Sequence, residues 1–306
     1  MVMKIGLIGY SPQNGHPFSF SAIINGYDPL EFSKTGWAVI LDYLNVRNPS
    51  EIGIPDVRVT HAWTQDKTQT ELLCRACYIP HAVDSLEEMV FQVDAVIIAR
   101  DDYESHVSLA KPFLQAGLPV FIDKPLTINE QELHYLMPYL EKGLCMSTSA
   151  FRYAKELDSF KQSPECIGDP YLIQAVVAND FLKYGVHMLD AVAAFHGGPL
   201  KSITKLQAPY DCFSMQLESG LVFNLSCLGA VAKVFHLSIY GRKGLFECQL
   251  TDNFSAFKRL LIRFFQMVKD RQPPIDPKQV SQIIEVLRVG HSLIPGQTAE
   301  LSCVLS

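Results

Sequence analysis

Two short strings in this chain carry residues able to move a proton. Phe121-Ile-Asp-Lys-Pro125 closes an apolar strand with Lys124 at its carboxyl end, the edge where open α/β sheets take up ligands. Tyr184-Gly-Val-His-Met-Leu-Asp190 puts His187 at the start of an apolar helix. An imidazole titrates near neutrality and suits a general base, while a fixed ammonium suits a developing alkoxide. Each alone is more often a structural histidine or a solvated lysine. A third string, Gly9-Tyr-Ser-Pro-Gln-Asn-Gly15, follows the first strand. Glycines in such a turn let main-chain N–H groups cradle a pyrophosphate at a helix start. Here Ser11 stands where the second glycine belongs and the loop runs long, so by itself it reads equally as an ordinary turn. A ribose-binding acid is expected about twenty positions on, but an extra helix moves the end of the second strand out to Trp63-Thr-Gln-Asp66. Cys74-Arg-Ala-Cys77 has the spacing of a redox or zinc half-site, yet no second pair completes it, and it reads as two half-buried helix residues.

Lining these residues up requires a sheet. The first half alternates strand signals at 4–9, 57–63, 93–99, 119–122 and 144–149 with helix signals from Ser19 and at 37–46, 67–78, 106–116 and 129–142. That alternation implies a parallel sheet with crossovers. The second half opens with a helix near 153–162 and continues with strands at 171–178, 213–217, 221–228 and 234–240. Glu218-Ser-Gly220 is a hairpin turn, so an antiparallel sheet and an α+β domain are expected. Two helices close the chain at 254–270 and 277–292, split by Gln272-Pro-Pro274. The apolar stripe Phe257, Leu260, Leu261, Phe264, Phe265 and Val268 faces away from Lys258, Arg259, Arg263 and Lys269. It reads as a helix covering a sheet rather than one lying on a membrane. The domain boundary is placed between 149 and 150.

Composition narrows the function class. The 306 residues are 48% hydrophobic and 19% charged, which excludes a disordered or fibrous chain and suggests surface covered by a partner subunit. Twenty-six basic against 32 acidic residues give a net charge of −6, unlike the basic face of a duplex-binding protein. No apolar run reaches the length of a membrane helix, and the N-terminus turns polar too soon for a signal peptide. A cytoplasmic protein without membrane or nucleic-acid partners is expected. Eight cysteines, Cys303 among them, fit a reducing compartment as small hydrophobes.

Five blocks in order resemble the oxidoreductase family named for glucose–fructose oxidoreductase, inositol 2-dehydrogenase and rhizopine catabolism proteins (Gfo/Idh/MocA). Val93-Asp-Ala-Val-Ile-Ile-Ala99 followed by His106 is similar to the family's strand, cofactor loop and downstream histidine. Ala116-Gly-Leu-Pro-Val-Phe-Ile-Asp-Lys-Pro-Leu126 resembles its Glu-Lys-Pro block with Asp123 for Glu. Ala150-Phe-Arg-Tyr153 matches the opening of the second domain, Gly185-Val-His-Met-Leu-Asp190 the catalytic helix, and Ile239-Tyr-Gly-Arg-Lys-Gly244 a late hairpin. The resemblance implies a Rossmann domain (1–149) and an α+β domain with a large, mostly antiparallel open sheet (150–306). It implies NAD or NADP as cofactor, a small-molecule substrate with a sugar, cyclitol or nucleotide-sugar carbinol, and a homo-oligomer, dimer or tetramer, whose sheets pack between subunits.

On that resemblance the cofactor lies against Gly9, Ser11, Gly15, Trp63, Thr64, Asp66, Ala99, Arg100, His106, Asp123 and Lys124. Substrate lies against Lys124, Arg152, Tyr153, Lys183 and His187. Lys124 and His187 are expected to converge on one hydroxyl, with Lys183 lining the same pocket. Three departures stand out. The glycine loop is degenerate; Arg100-Asp-Asp-Tyr103 replaces the usual small and proline residues; and Lys183 stands four residues before His187, where the family often has Asp. A cation there would favour the neutral base or receive a substrate anion. Asp180 lies nearby in sequence. A contrasting expectation is a nicotinamide-binding sensor that keeps the fold without turnover.

Overall fold

The computed structural model describes residues 2–301; Cys303 lies outside them. Its elements run β1 (Met3–Ile8), α1 (His16–Asn25), α2 (Pro29–Ser33), α3 (Ala38–Asn45), β2 (Val57–Trp63), α4 (Lys67–Ala76), β3 (His81–Ala82) and α5 (Glu87–Val90). Then come β4 (Ala95–Ile98), α6 (His106–Gln115), β5 (Val120–Ile122), α7 (Glu130–Glu141), β6 (Cys145–Met146), α8 (Asp158–Gln162) and β7 (Pro170–Val177). The rest is α9 (Val186–Ala193), β8 (Leu200–Lys205), β9 (Asp211–Leu217), β10 (Val222–Cys227), β11 (Phe235–Gly241), β12 (Leu245–Gln249), α10 (Asn253–Asp270), α11 (Pro277–Ser292) and β13 (Thr298–Glu300). Among the described residues no helix is long and apolar enough to cross a membrane.

The chain divides into two compact units. One runs to Thr127 and takes in Gln131–Ser147 and Phe257–Ile275; the other holds Ile128–Glu130, Thr148–Ala256 and the chain from Asp276. The first unit is built on a six-stranded sheet in the order β3-β2-β1-β4-β5-β6, with every pair parallel. Strands buried on both faces explain why β4 and β5 are continuous apolar runs. Helix α1 starts at His16, three residues before the expected Ser19, because Pro17 fits a first helical turn, where no N–H is needed. Its residues 17–24 are all buried, so it shows no amphipathic period. The inserted α2 and α3 account for the distance between β1 and β2, and Tyr43 of α3 shares a 2.5 Å hydrogen bond with Ser19. Burial pushes the Tyr43 hydroxyl well above its ordinary titration range.

Most of α10 belongs to this first unit. Phe257 meets Phe20 edge-on at 5.1 Å, and Phe264, fully buried, lies 5.8 Å from Phe121. The apolar stripe therefore covers a sheet, but it is the first sheet that it covers. A single cut at 149/150 does not describe this: residues 257–275 return to the first unit after the second has been built.

The second unit carries a seven-stranded sheet in the order β12-β11-β7-β10-β9-β8-β13. All its pairs are antiparallel except β7 with β10, which run parallel because the chain makes α9, β8 and β9 between them. Glu218-Ser-Gly220 turns β9 into β10, with Gly220 at φ 86°. Three strands carry little sequence signal. Edge strands β12 and β13 alternate exposed with half-buried residues, and β8 carries Lys201 and Lys205 within its six residues. The helix expected near 153–162 is broken: Ala154 is extended (ψ 131°), which leaves two 3₁₀ turns, Ala150–Tyr153 and Lys155–Leu157, ahead of α8.

Candidate functional site

In the first unit the expected residues gather at the carboxyl edge of the sheet. Gly9 follows β1 and donates its N–H to the Trp63 carbonyl at 2.9 Å. A Cβ on Gly9 would lie 2.7 Å from the Pro17 ring, and one on Gly15 would lie 2.5 Å from Ile40 and 2.8 Å from Trp37. Both glycines are thus required by close packing around the start of α1. Asn14 accepts the His16 N–H at 2.8 Å, while the main-chain N–H groups of Tyr10, Ser11, Gln13 and Gly15 make no hydrogen bond among the described residues. Main-chain N–H groups left without an acceptor at a helix start can donate to an anion such as a pyrophosphate. The loop therefore fits the cofactor despite its irregular glycine spacing.

Three loops meet beside it. Ser11 donates to Asp101 and accepts the Asp101 N–H at 3.1 Å. Gln65 donates to the Tyr10 carbonyl at 2.6 Å and accepts from Arg100 at 2.8 Å, and Arg100 forks onto both oxygens of Asp102. Burial would raise the Asp102 carboxyl, but Arg100 outweighs it and holds the group below its ordinary value. The charges added after β4 are therefore paired with one another or tied to the glycine loop. Thr64 bonds Thr70 and the Asp66 carbonyl, and Asp66 caps α4 by accepting from Thr68 and Gln69. Ala99 is fully buried and bonds the Ile8 carbonyl at 2.8 Å. His106, expected against the cofactor, is fully buried, with its ring nitrogens 3.0 Å from the Leu126 carbonyl and 2.9 Å from that of Arg100. Its visible work is to staple the loop after β4 to the loop after β5.

Asp123 and Lys124 follow β5 and are both buried. One Asp123 oxygen accepts the Lys124 N–H at 2.8 Å; the other bonds His16 Nδ1 and lies 3.5 Å from the Asn14 amide. Burial alone would raise the Asp123 carboxyl, but the His16 ring, then Lys124, pull it below its ordinary value. His16, Asn14 and Asp101 escaped the sequence reading. Their signal was present, since polar residues in βα loops of a parallel sheet face one edge, but nothing in the string showed which would pair.

In the second unit a π-helical turn, Phe181–Gly185, precedes α9 and is capped by Asp180, whose carboxylate accepts the Lys183 N–H at 2.8 Å. That settles the place of Asp180: it is a cap. His187 lies one residue inside α9 among the rings of Phe151, Phe235 and Tyr184, with centroids 5.5, 5.6 and 5.9 Å away. Its Nδ1 is 2.6 Å from the Ser149 hydroxyl. Arg152, expected at substrate, is buried and donates to Asp190 at 3.0 Å and to Gln279 at 3.0 Å. Its NH2 nitrogen is buried without a partner among the described residues, and the visible role of the side chain is to hold Asp190. Tyr153 closes the adjoining 3₁₀ turn. The Cys74 thiol is pushed up to about 12 and that of the fully buried Cys77 well above its ordinary value, both by burial, so neither is a ready thiolate.

An all-parallel sheet with an N–H-lined loop after β1 and a buried lysine after β5 defines a dinucleotide-binding Rossmann domain. Residues 42–150 match the GFO_IDH_MocA family model, described as an oxidoreductase family with an NAD-binding Rossmann fold. No curated protein matches the chain. Among solved structures it is similar to apo scyllo-inositol dehydrogenase from Lactobacillus casei, at 15% identity and TM-score 0.77, covering 100% of this chain and 99% of that one. It is also similar to myo-inositol dehydrogenase from Lactobacillus casei in complex with NAD(H) and myo-inositol. That match has 13% identity and TM-score 0.76, with 99% and 97% covered. Myo-inositol 2-dehydrogenase from Lactobacillus plantarum matches at 13% identity and TM-score 0.77, over 99% and 100%. At these identities the likeness is one of fold.

Proposed function

We propose that this protein is an NAD-dependent oxidoreductase acting on a carbinol carbon of a cyclitol, sugar or nucleotide sugar. The observation that carries the reading is Lys124, a lysine buried at the carboxyl edge of a Rossmann sheet, its main chain fixed by Asp123. The inositol dehydrogenases of like fold support it, one of them a complex with NAD(H) and myo-inositol. A cofactor-binding sensor without turnover is not favoured.

In this reading the N–H groups of Ser11 and Gly15, with Gly9 behind them, hold the pyrophosphate. Trp63, Thr64 and Asp66 border the adenosine, and Ala99, Arg100, Asp123 and Lys124 border the nicotinamide end. When bound, NAD supplies the nicotinamide carbon that takes or gives the hydride. Lys124 stabilises charge on the substrate oxygen, His187 exchanges the hydroxyl proton, and Lys183 meets an anionic substrate group or tunes His187. Tyr153 is assigned to substrate, and Arg152 to the support of Asp190.

The test is fluorescence titration with NAD(H) and NADP(H), followed by a hydride-transfer assay over a panel of cyclitols and sugars. Binding of neither cofactor at millimolar concentration would end the proposal. We further assign a homo-oligomer joined through the outward side of the second sheet, where Gln174, Asn224, Ser214 and Thr204 lie in register without a charge among them. Light scattering that gave the mass of one chain would remove that assignment. A reducing, cytoplasmic location suits the seven described cysteines, all of them thiols.

A further inference from the structure

His187 and Asp190 are three residues apart on α9, and both reach Ser149. The Ser149 N–H donates to one Asp190 oxygen at 2.7 Å, and its hydroxyl is 2.6 Å from His187 Nδ1. The other Asp190 oxygen is held by Arg152, itself held by Gln279. Ser149 and Asp190 are both at least nine-tenths buried. Residues three apart share a helix face, so Ser149 is clamped to that face at two points. Three aromatic rings fix the plane of the imidazole, and the clamp fixes what its Nδ1 meets.

We propose that Ser149 is a positioning residue that sets the tautomer of His187: Nδ1 is engaged by the Ser149 oxygen, and Nε2 is the nitrogen that exchanges a proton with substrate. This rests on the dehydrogenase reading for its purpose, though not for its chemistry. A hydroxyl oxygen has two lone pairs. One accepts the Phe151 N–H at 3.1 Å, and the second accepts from Nδ1–H. With Nδ1 as donor, Nε2 carries the lone pair of the base. When Nε2 takes the substrate proton, the same Nδ1–H···Oγ bond persists in the imidazolium and no proton moves on the far side of the ring. Reversed, with the hydroxyl donating to Nδ1, the ring would present Nε2–H and could not accept there. The polarity of one hydrogen bond thus decides whether His187 is a base.

The test is ring ¹⁵N–¹H correlation NMR of the full-length, histidine-labelled protein without cofactor, with His187 assigned from the His187→Gln spectrum. The expected result is a mainly Nδ1–H ring in the wild type and in Ser149→Thr, and a shift toward Nε2–H in Ser149→Ala. Ser149 also caps the turn Ala150–Tyr153, so Ser149→Gly, a substitution that helix starts tolerate well, repeats the test without the hydroxyl. In turnover, both hydroxyl-free variants should lose about 10–100-fold in kcat, as when a group behind a functional histidine is removed. KM should stay near the wild-type value and Thr should restore kcat. A wild-type Nε2–H ring, or a tautomer ratio unmoved in both variants, overturns the proposal. The NMR readout needs neither cofactor nor substrate, so failure of the dehydrogenase reading would appear separately, as absent cofactor binding with the tautomer shift intact.

Discussion

His16 Nδ1 and the Asp123 carboxylate, 107 residues apart in the chain, are joined by a hydrogen bond that ties the first turn of α1 to the end of β5. Asp123 is held below its ordinary value although burial opposes it. A carboxyl lowered by folding contributes stability above its unfolded value, near about 3.9, and loses it as the pH falls through its folded value. Asp123→Asn is therefore expected to cost about 1–3 kcal/mol at neutral pH. The difference from wild type should shrink once the pH drops below about 4. Urea midpoints at neutral and at acid pH measure this, and a difference independent of pH would contradict it.

Lys124→Met and His187→Gln should each lower turnover by roughly 10²–10⁴-fold, the range for losing an oxyanion donor or a general base. Cofactor affinity should change little, since the loop after β1 is untouched. Steady-state kinetics with parallel NADH titrations separate the two effects. A matching collapse in NADH affinity would recast Lys124 as a cofactor ligand alone.

Lys183→Asp discriminates between two roles. If Lys183 meets an anionic substrate group, KM rises and the pH–rate profile stays in place. If it tunes His187, the acidic limb of the profile shifts toward higher pH, because a carboxylate favours the imidazolium, and KM is nearly constant. Unchanged kinetics on both counts would remove Lys183 from the site.

Phe264→Ala should destabilise the protein by about 3–5 kcal/mol, since the ring is fully buried and packs toward Phe121. Because α10 lies on the sheet that carries Lys124, weakened NADH binding should accompany the lost stability. Chemical denaturation with and without NADH checks both, and a loss under about 1 kcal/mol would mean that the site collapses around the missing ring.

Much of the fold was legible because it rests on local pattern. Strand β2 and helix α11 fall on the expected residues, one rich in β-branched side chains (Val57, Val59, Thr60) and closed by Trp63, the other started by Asp276 and Pro277. What escaped depends on partners distant in sequence. The stripe on α10 announced a covered sheet, but stripes do not name their partner, and the helix lies on the first sheet from the far end of the chain. Ser149 is an unremarkable serine until the fold brings α9, 38 residues on, against it. Arg152 and His106 matched functional positions by type and order, yet burial gave them acceptors within the protein. The i, i+3 spacing of His187 and Asp190 was visible throughout and marked a shared face, though not what that face would hold.

The π turn ahead of α9 bears on how this chain is aligned with others. A π turn closes a hydrogen-bonded ring one residue wider than an α turn, as in the bond from the Gly185 N–H to the Asp180 carbonyl at 3.2 Å. Counting back four places from His187 to Lys183 crosses from one helical geometry into the other. Position four before the histidine therefore lies on a different face here than in an uninterrupted α-helix. Where another protein of this fold runs as an uninterrupted α-helix here, Lys183 and that protein's residue four before the histidine face different ways, and the two are better compared by position in space than by count.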